Sequence, residues 1–73
     1  MSAERLAYMA NQIAGYFAAY GRDEAVAGIA DHLQKFWEPR MRRALLARLE
    51  SGDHGLHPLV VAAAARLKTA PAG

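Results

Sequence analysis

Leu33-Gln34-Lys35-Phe36-Trp37-Glu38-Pro39-Arg40-Met41-Arg42-Arg43-Ala44-Leu45-Leu46 decides how this chain folds. Ahead of Pro39, apolar side chains recur at Val26, Ile29, Ala30, Leu33, Phe36 and Trp37, the spacing of one helical face. Beyond it the same period restarts at Met41, Leu45, Leu46 and Leu49. A proline disfavours helical geometry in the residue before it, yet suits the first position of a new helix. The stretch therefore predicts a helix capped by Asp23 and reaching Phe36 or Trp37, a turn at Glu38, and a second helix opened by Pro39.

Working outward, the N-terminal side reads as a helix over residues 3–20, with Ser2 as N-cap and Gly21 as its stop. Leu6, Met9, Ile13, Phe17 and Tyr20 form its expected core stripe. On the C-terminal side, residues 51–55 hold two glycines and predict a loop. Pro58 then opens a last helix to about Lys68, apolar at Leu59, Val60, Ala63, Ala64 and Leu67. Residues 69–73 are expected to fray. The one β-leaning run, Leu59-Val60-Val61, is followed by four alanines, which favour helix. The expected fold is all-α: one domain over 1–73, a small bundle of three to four helices with short connections.

At 73 residues and 53% hydrophobic, the chain is too apolar to be disordered and too short for a substrate domain beside a cofactor domain. A domain this size buries only about 60% of its unfolded surface, so reinforcement is expected. With no cysteine, disulfides and thiolate metal sites are excluded. No secretory leader or membrane span is read, and the expected location is cytoplasmic. The remaining source of support is tight helix packing or a partner protein.

Two surfaces look unusual for a free monomer. Residues 6–20 carry no charged side chain, and Tyr8, Gln12 and Tyr16 flank the apolar stripe with Asn11 nearby. Tyrosine is favoured and lysine depleted at protein interfaces. The second surface is the corner of Trp37, Pro39, Arg40, Arg42 and Arg43. Arg42 falls among Leu45, Leu46 and Leu49 on the helical wheel, whereas Arg40 and Arg43 point away. It either snorkels or pairs with a carboxylate, Glu38 or one on a partner. Trp37 is either a core aromatic or an interface anchor. These nine residues are the expected partner interface.

Residues 35–48 hold five basic side chains against Glu38 alone, +4 in a chain whose total is +2. A basic helical nucleic-acid-binding module is thus a rival reading, although no zinc module or helix-turn-helix turn accompanies the charge. His54 and His57 have a metal-like spacing but lack further ligands, and His57 is placed to cap the helix behind Pro58. Asp31 and His32 point about 100° apart on a helix, so Lys35 is the better mate for Asp31. No phosphate loop or nucleophile triad is present, and no catalytic, cofactor-binding or metal residues are expected.

These residues resemble a known family. Met9-Ala10-Asn11-Gln12-Ile13 followed by Phe17 is similar to the N-terminal motif of the delta subunit of soluble NAD-dependent formate dehydrogenases. Ala30-Asp31-His32-Leu33, then Phe36-Trp37 and Pro39-Arg40-Met41-Arg42, resembles its second motif. Leu56, Pro58, Leu59 and Val60 match its C-terminal stretch, so the likeness covers roughly residues 5–67. The resemblance implies a non-catalytic accessory subunit of a molybdenum- or tungsten-dependent complex, stabilising or assembling it on the catalytic alpha subunit. The bis-pterin metal centre, iron–sulfur clusters, flavin and NAD would belong to the alpha, beta and gamma subunits, none to this chain. A transient assembly or cofactor-insertion chaperone is the alternative within the family. Isolated, such a chain is expected to be able to self-associate; neither nucleic acid nor membrane is expected as a partner.

Overall fold

The computed structural model describes residues 2–69, and these form four helices joined by short connections. They are α1 (Ala3–Phe17), α2 (Arg22–Phe36), α3 (Pro39–Glu50) and α4 (Pro58–Thr69). The all-α bundle expected from the sequence is what forms. Residues 70–73, most of the expected frayed tail, lie outside the described residues; Thr69 closes α4.

Local chemistry explains most of the boundaries. Ser2 Oγ accepts the Arg5 amide at 3.1 Å and starts α1, a cap contributing about 1 kcal/mol. Glu38 sits in an extended conformation ahead of Pro39, as the proline ring requires, and Pro39 takes the first turn of α3. Ser51 ends α3 by donating its hydroxyl to the Arg48 carbonyl at 2.6 Å. Gly52 and Gly55 then turn the loop with φ of 96° and 66°, conformations that side chains with a Cβ rarely adopt. His57 caps α4 as its position suggested, its Nδ1 accepting the Leu59 amide at 3.0 Å.

Two boundaries differ from expectation. Helix α1 ends at Phe17, three residues short of Tyr20, because residues 18–21 are needed to reverse the chain onto α2. Tertiary packing here overrides the helix propensity of Ala18 and Ala19. Gly21 is no left-handed stop: it is extended, with φ −60°, and serves as the N-cap of α2. Asp23 accordingly lies inside the first turn, where it and Glu24 face the positive end of the helix dipole.

Helix α2 packs most extensively on α4, and α1 lies across α2 and α3. Ile29, Leu33, Leu45 and Val60 are the largest fully buried side chains, each worth roughly 1.5–3 kcal/mol of transfer. Around them Ala10, Ala14, Ala25, Ala63 and Ala64 are completely buried. The helices thus meet largely through methyl groups, which lets their axes come close.

Candidate interaction surface

The alanines change which face of α1 looks inward. Its buried residues are Leu6, Ala7, Ala10 and Ala14, so the helix is rotated by roughly a fifth of a turn from the stripe expected. Met9, Ile13 and Phe17 pack at the edge of the core, half-buried, and Tyr20 is exposed. Ala7, Ala10 and Ala14 make the core contact. The periodicity of large apolar residues misled here; the Ala7, Ala10, Ala14 spacing was the available signal.

Displaced to the edge, Met9, Ile13, Tyr16 and Phe17 line an open groove between α1 and α2. His32 and Trp37 form its α2 side, and Gln12 stands at the rim. The groove has a volume of about 420 Å³. Trp37 is only 5% exposed and belongs to the core, forming part of the groove wall rather than a projecting anchor. Tyr8, outside the groove, and Tyr16, at its rim, are 61% and 71% exposed. The Gln12 side-chain amide donates to the Tyr8 hydroxyl at 3.0 Å, and the Tyr16 ring meets Phe17 edge-on at 5.1 Å. Phe36, assigned to the core by its spacing, is 71% exposed and lies against His32, ring centres 4.9 Å apart. It is the last residue of α2, and Trp37, which follows it in an extended conformation, enters the core in its place.

Gly28 sets the close approach of the two walls. A Cβ there would fall 2.5 Å from Cε1 of Phe17, so the absent side chain is what seats the ring. Mid-helix glycine costs about 1 kcal/mol relative to alanine, and packing of this ring offsets it.

The basic corner divides into internal and external parts. Arg42 does not snorkel, and it pairs with no carboxylate among the described residues. Its Nη1 donates to the carbonyls of Leu33 (3.4 Å), Gln34 (3.2 Å) and Trp37, closing the C-terminus of α2. The last carbonyls of a helix lack intrahelical partners and carry negative partial charge, so a cation is favoured there. Arg48 is also used inside the chain, its Nε donating to the His54 carbonyl at 2.9 Å. Lys35 pairs with Asp31 at 3.2 Å, as one-turn spacing suggested. Arg40 and Arg43 remain on the surface beside the exposed Pro39.

Asn11 also works within the fold. Its Nδ2 donates to the Gly55 carbonyl at 2.9 Å, and its Oδ1 accepts the His57 amide at 2.8 Å. One side chain thereby ties α1 to the loop before α4. His54 Nδ1 accepts the Leu56 amide at 3.0 Å, so both loop histidines serve local backbone turns. Among the described residues, no three His, Asp or Glu side chains come together as a metal would require. Nor is any helix among them long and apolar enough to cross a membrane.

Compared with known protein families, residues 5–64 match the NADH-dependent formate dehydrogenase delta subunit family, FdsD. The chain belongs to that family. No curated protein and no solved structure matches it. The part matched to the delta subunit family spans α1, α2, α3 and the start of α4, so it contains the whole groove. The resemblance read from the Asp-His-Leu and Phe-Trp-x-Pro-Arg-Met strings is thereby established. In this delta subunit chain much of the two strings, with Arg42 directly after them, builds the fold: Leu33 and Trp37 fill the core, Pro39 opens α3 and Arg42 caps α2. His32, Phe36 and Arg40 from the same strings are left facing outward or lining the groove.

Proposed function

We propose that this chain is a non-catalytic accessory subunit of a formate dehydrogenase complex, stabilising or assembling it by docking on the catalytic alpha subunit. The observation that carries this reading is the face of α1, free of charge from residue 6 to 20, which presents Tyr8, Gln12 and Tyr16 beside an apolar groove. Contiguous exposed apolar surface on so small a domain marks a contact site. The metal, iron–sulfur, flavin and nicotinamide chemistry falls to the partner subunits. This chain has no cysteine with which to hold a cluster, and its histidines at 54 and 57 already serve backbone amides.

The fate of the arginines weighs against nucleic acid as the partner. Two of the five basic groups of residues 35–48 donate to backbone carbonyls and a third pairs with Asp31, leaving Arg40 and Arg43 to face outward. Phosphate tracking needs more such groups on one surface.

The test is subunit stoichiometry in the complex purified from native cells. Tyr16→Glu with Arg43→Glu alters two exposed positions and leaves the Arg42 cap intact. Loss of this chain from the purified enzyme is expected; retention at the wild-type ratio would refute docking through this face. Recovery of the wild-type chain only on catalytic subunit lacking its metal centre would instead make it a transient chaperone.

A further inference from the structure

The large apolar side chains exposed among the described residues, Tyr8, Tyr16, Tyr20 and Phe36, all gather at the groove between α1 and α2. Tyr16 lines it, and Tyr8 is hydrogen-bonded to Gln12 at its rim. The Tyr20 ring lies 6.0 Å from that of Phe17 and the Phe36 ring 4.9 Å from that of His32, both lining residues. Neither residues 6–20 nor residues 28–36 hold an unpaired Asp, Glu, Lys or Arg, since Asp31 and Lys35 pair with each other. The patch has both a knob and a hole. Phe36 stands exposed outside the groove, while the hollow beside it, about 420 Å³, exceeds the volume of one aromatic side chain. They are also set towards opposite ends: Phe17 covers Gly28 at one, and α2 finishes with Phe36 at the other.

We propose that the free chain pairs with a second copy of itself through this face, as a weak two-fold dimer in which Phe36 of each protomer seats in the groove of the other. A two-fold axis through the groove lays each Phe36 over the Tyr16 and Phe17 end opposite, so one contact fills both hollows and covers both rings. A partner of different sequence would have to supply a knob and a hole of its own. With the walls uncharged, the pairing brings no like charges together. The area is sufficient as well. A buried aromatic side chain contributes about 150–250 Å², so at their exposures the four rings offer roughly 500 Å² per copy. Two copies then bury about 1,000 Å² through rings alone, the lower bound for a specific protein contact. The dimer concerns the chain by itself and does not rest on the accessory role. It does bear on it: Tyr16 cannot face a second copy and a catalytic subunit at once, so the pair must part before the chain docks.

Sedimentation equilibrium of the full chain tests this, with a monomer–dimer equilibrium in the micromolar range as the expected result. Phe36→Glu alters an exposed position that occurs twice in the dimer, and should weaken association about a hundredfold with helical content unchanged. Arg43→Glu, on α3 and away from the groove, should leave association as it is. Photo-crosslinking locates the contact without weakening it. Phe36→p-benzoylphenylalanine, in a mixture of chains of light and heavy nitrogen, should capture residues 6–22 of the other copy. A wild-type chain that stays monomeric at millimolar concentration overturns the proposal. So does a dimer that Phe36→Glu leaves intact, one that Arg43→Glu weakens equally, or a crosslink confined to a single chain or to another segment. None of these outcomes touches the accessory role, which is read from subunit stoichiometry in the purified complex.

Discussion

Replacing Arg42 by methionine should unfold this protein's weakest junction. The substitution keeps the apolar stem and removes the charge and donors at the end of α2. Nη1 has two hydrogens shared among three carbonyls, so it makes the equivalent of about two hydrogen bonds. Hydrogen bonds from a charged group contribute about 1.5–3 kcal/mol each when well made. The distances of 3.2 and 3.4 Å to Gln34 and Leu33, and the partial exposure of the site, bring these below that range, to about 1 kcal/mol each. With a helix-dipole contribution of about 0.5 kcal/mol, the loss should be about 2–3 kcal/mol. Helices α2 and α3 touch little otherwise, so no alternative contact replaces it. For a domain of this size the midpoint of thermal unfolding should fall by about 10–20 °C. Urea titration followed by circular dichroism measures the change, with an unaltered slope showing that the same surface is exposed. Arg42→Lys retains the cation and should recover the dipole part alone. A stability for Arg42→Met within about 0.5 kcal/mol of wild type would refute the cap and return Arg42 to the list of groups available to a partner.

Gly28→Ala should destabilise by about 1–2 kcal/mol despite its better helix propensity, because its methyl displaces the Phe17 ring. In a Phe17→Ala background the same change should stabilise by up to about 1 kcal/mol, a reversal of sign that a double-mutant cycle reads directly. Asn11→Leu should cost about 1–3 kcal/mol and raise the exchange rate of the His57 amide, which loses its acceptor; unchanged exchange would mean that the clasp is not formed in solution. His57→Ala should lower stability by about 1 kcal/mol, and His57→Asp should restore it, since aspartate caps equally well. Thermal melts that rank Asp with Ala would remove His57 from the cap.

The order and limits of the helices were largely legible because proline, serine and glycine punctuate them. Pro39 and Pro58 each open a helix, and Ser2 closes the start of α1. What the pattern misplaced was rotation and polar use. The large residues of α1 suggested a core stripe, but a bundle that brings helices together through Ala10, Ala14, Ala63 and Ala64 leaves bulkier side chains at its edges. Helical spacing shows which residues share a face; it does not show how close the neighbouring helix comes. Arg42 is an instance of the same limit. Its place on an apolar face was readable, but its partners are backbone carbonyls, which every residue possesses and no sequence singles out. The clasp of Asn11 spans more than forty residues and left no local trace.

The disparity in span between the two polar ties has a consequence for the order in which the molecule assembles itself. Arg42 reaches partners five to nine residues away, whereas Asn11 reaches partners 44 and 46 residues away. Closing the longer loop costs about 1.4 kcal/mol more in chain entropy than closing a nine-residue one. The corner at Pro39 can therefore form while α1 is still free to turn about its own axis against α2. The contact of Asn11 with the loop at Gly55 then helps hold that rotation, with Ala10 inward and Met9, Ile13 and Phe17 at the edge. Folding kinetics should accordingly show perturbation of the folding rate by Arg42 variants and of the unfolding rate by Asn11 variants. A chain in which Asn11 has not yet reached Gly55 would lack a settled groove between α1 and α2.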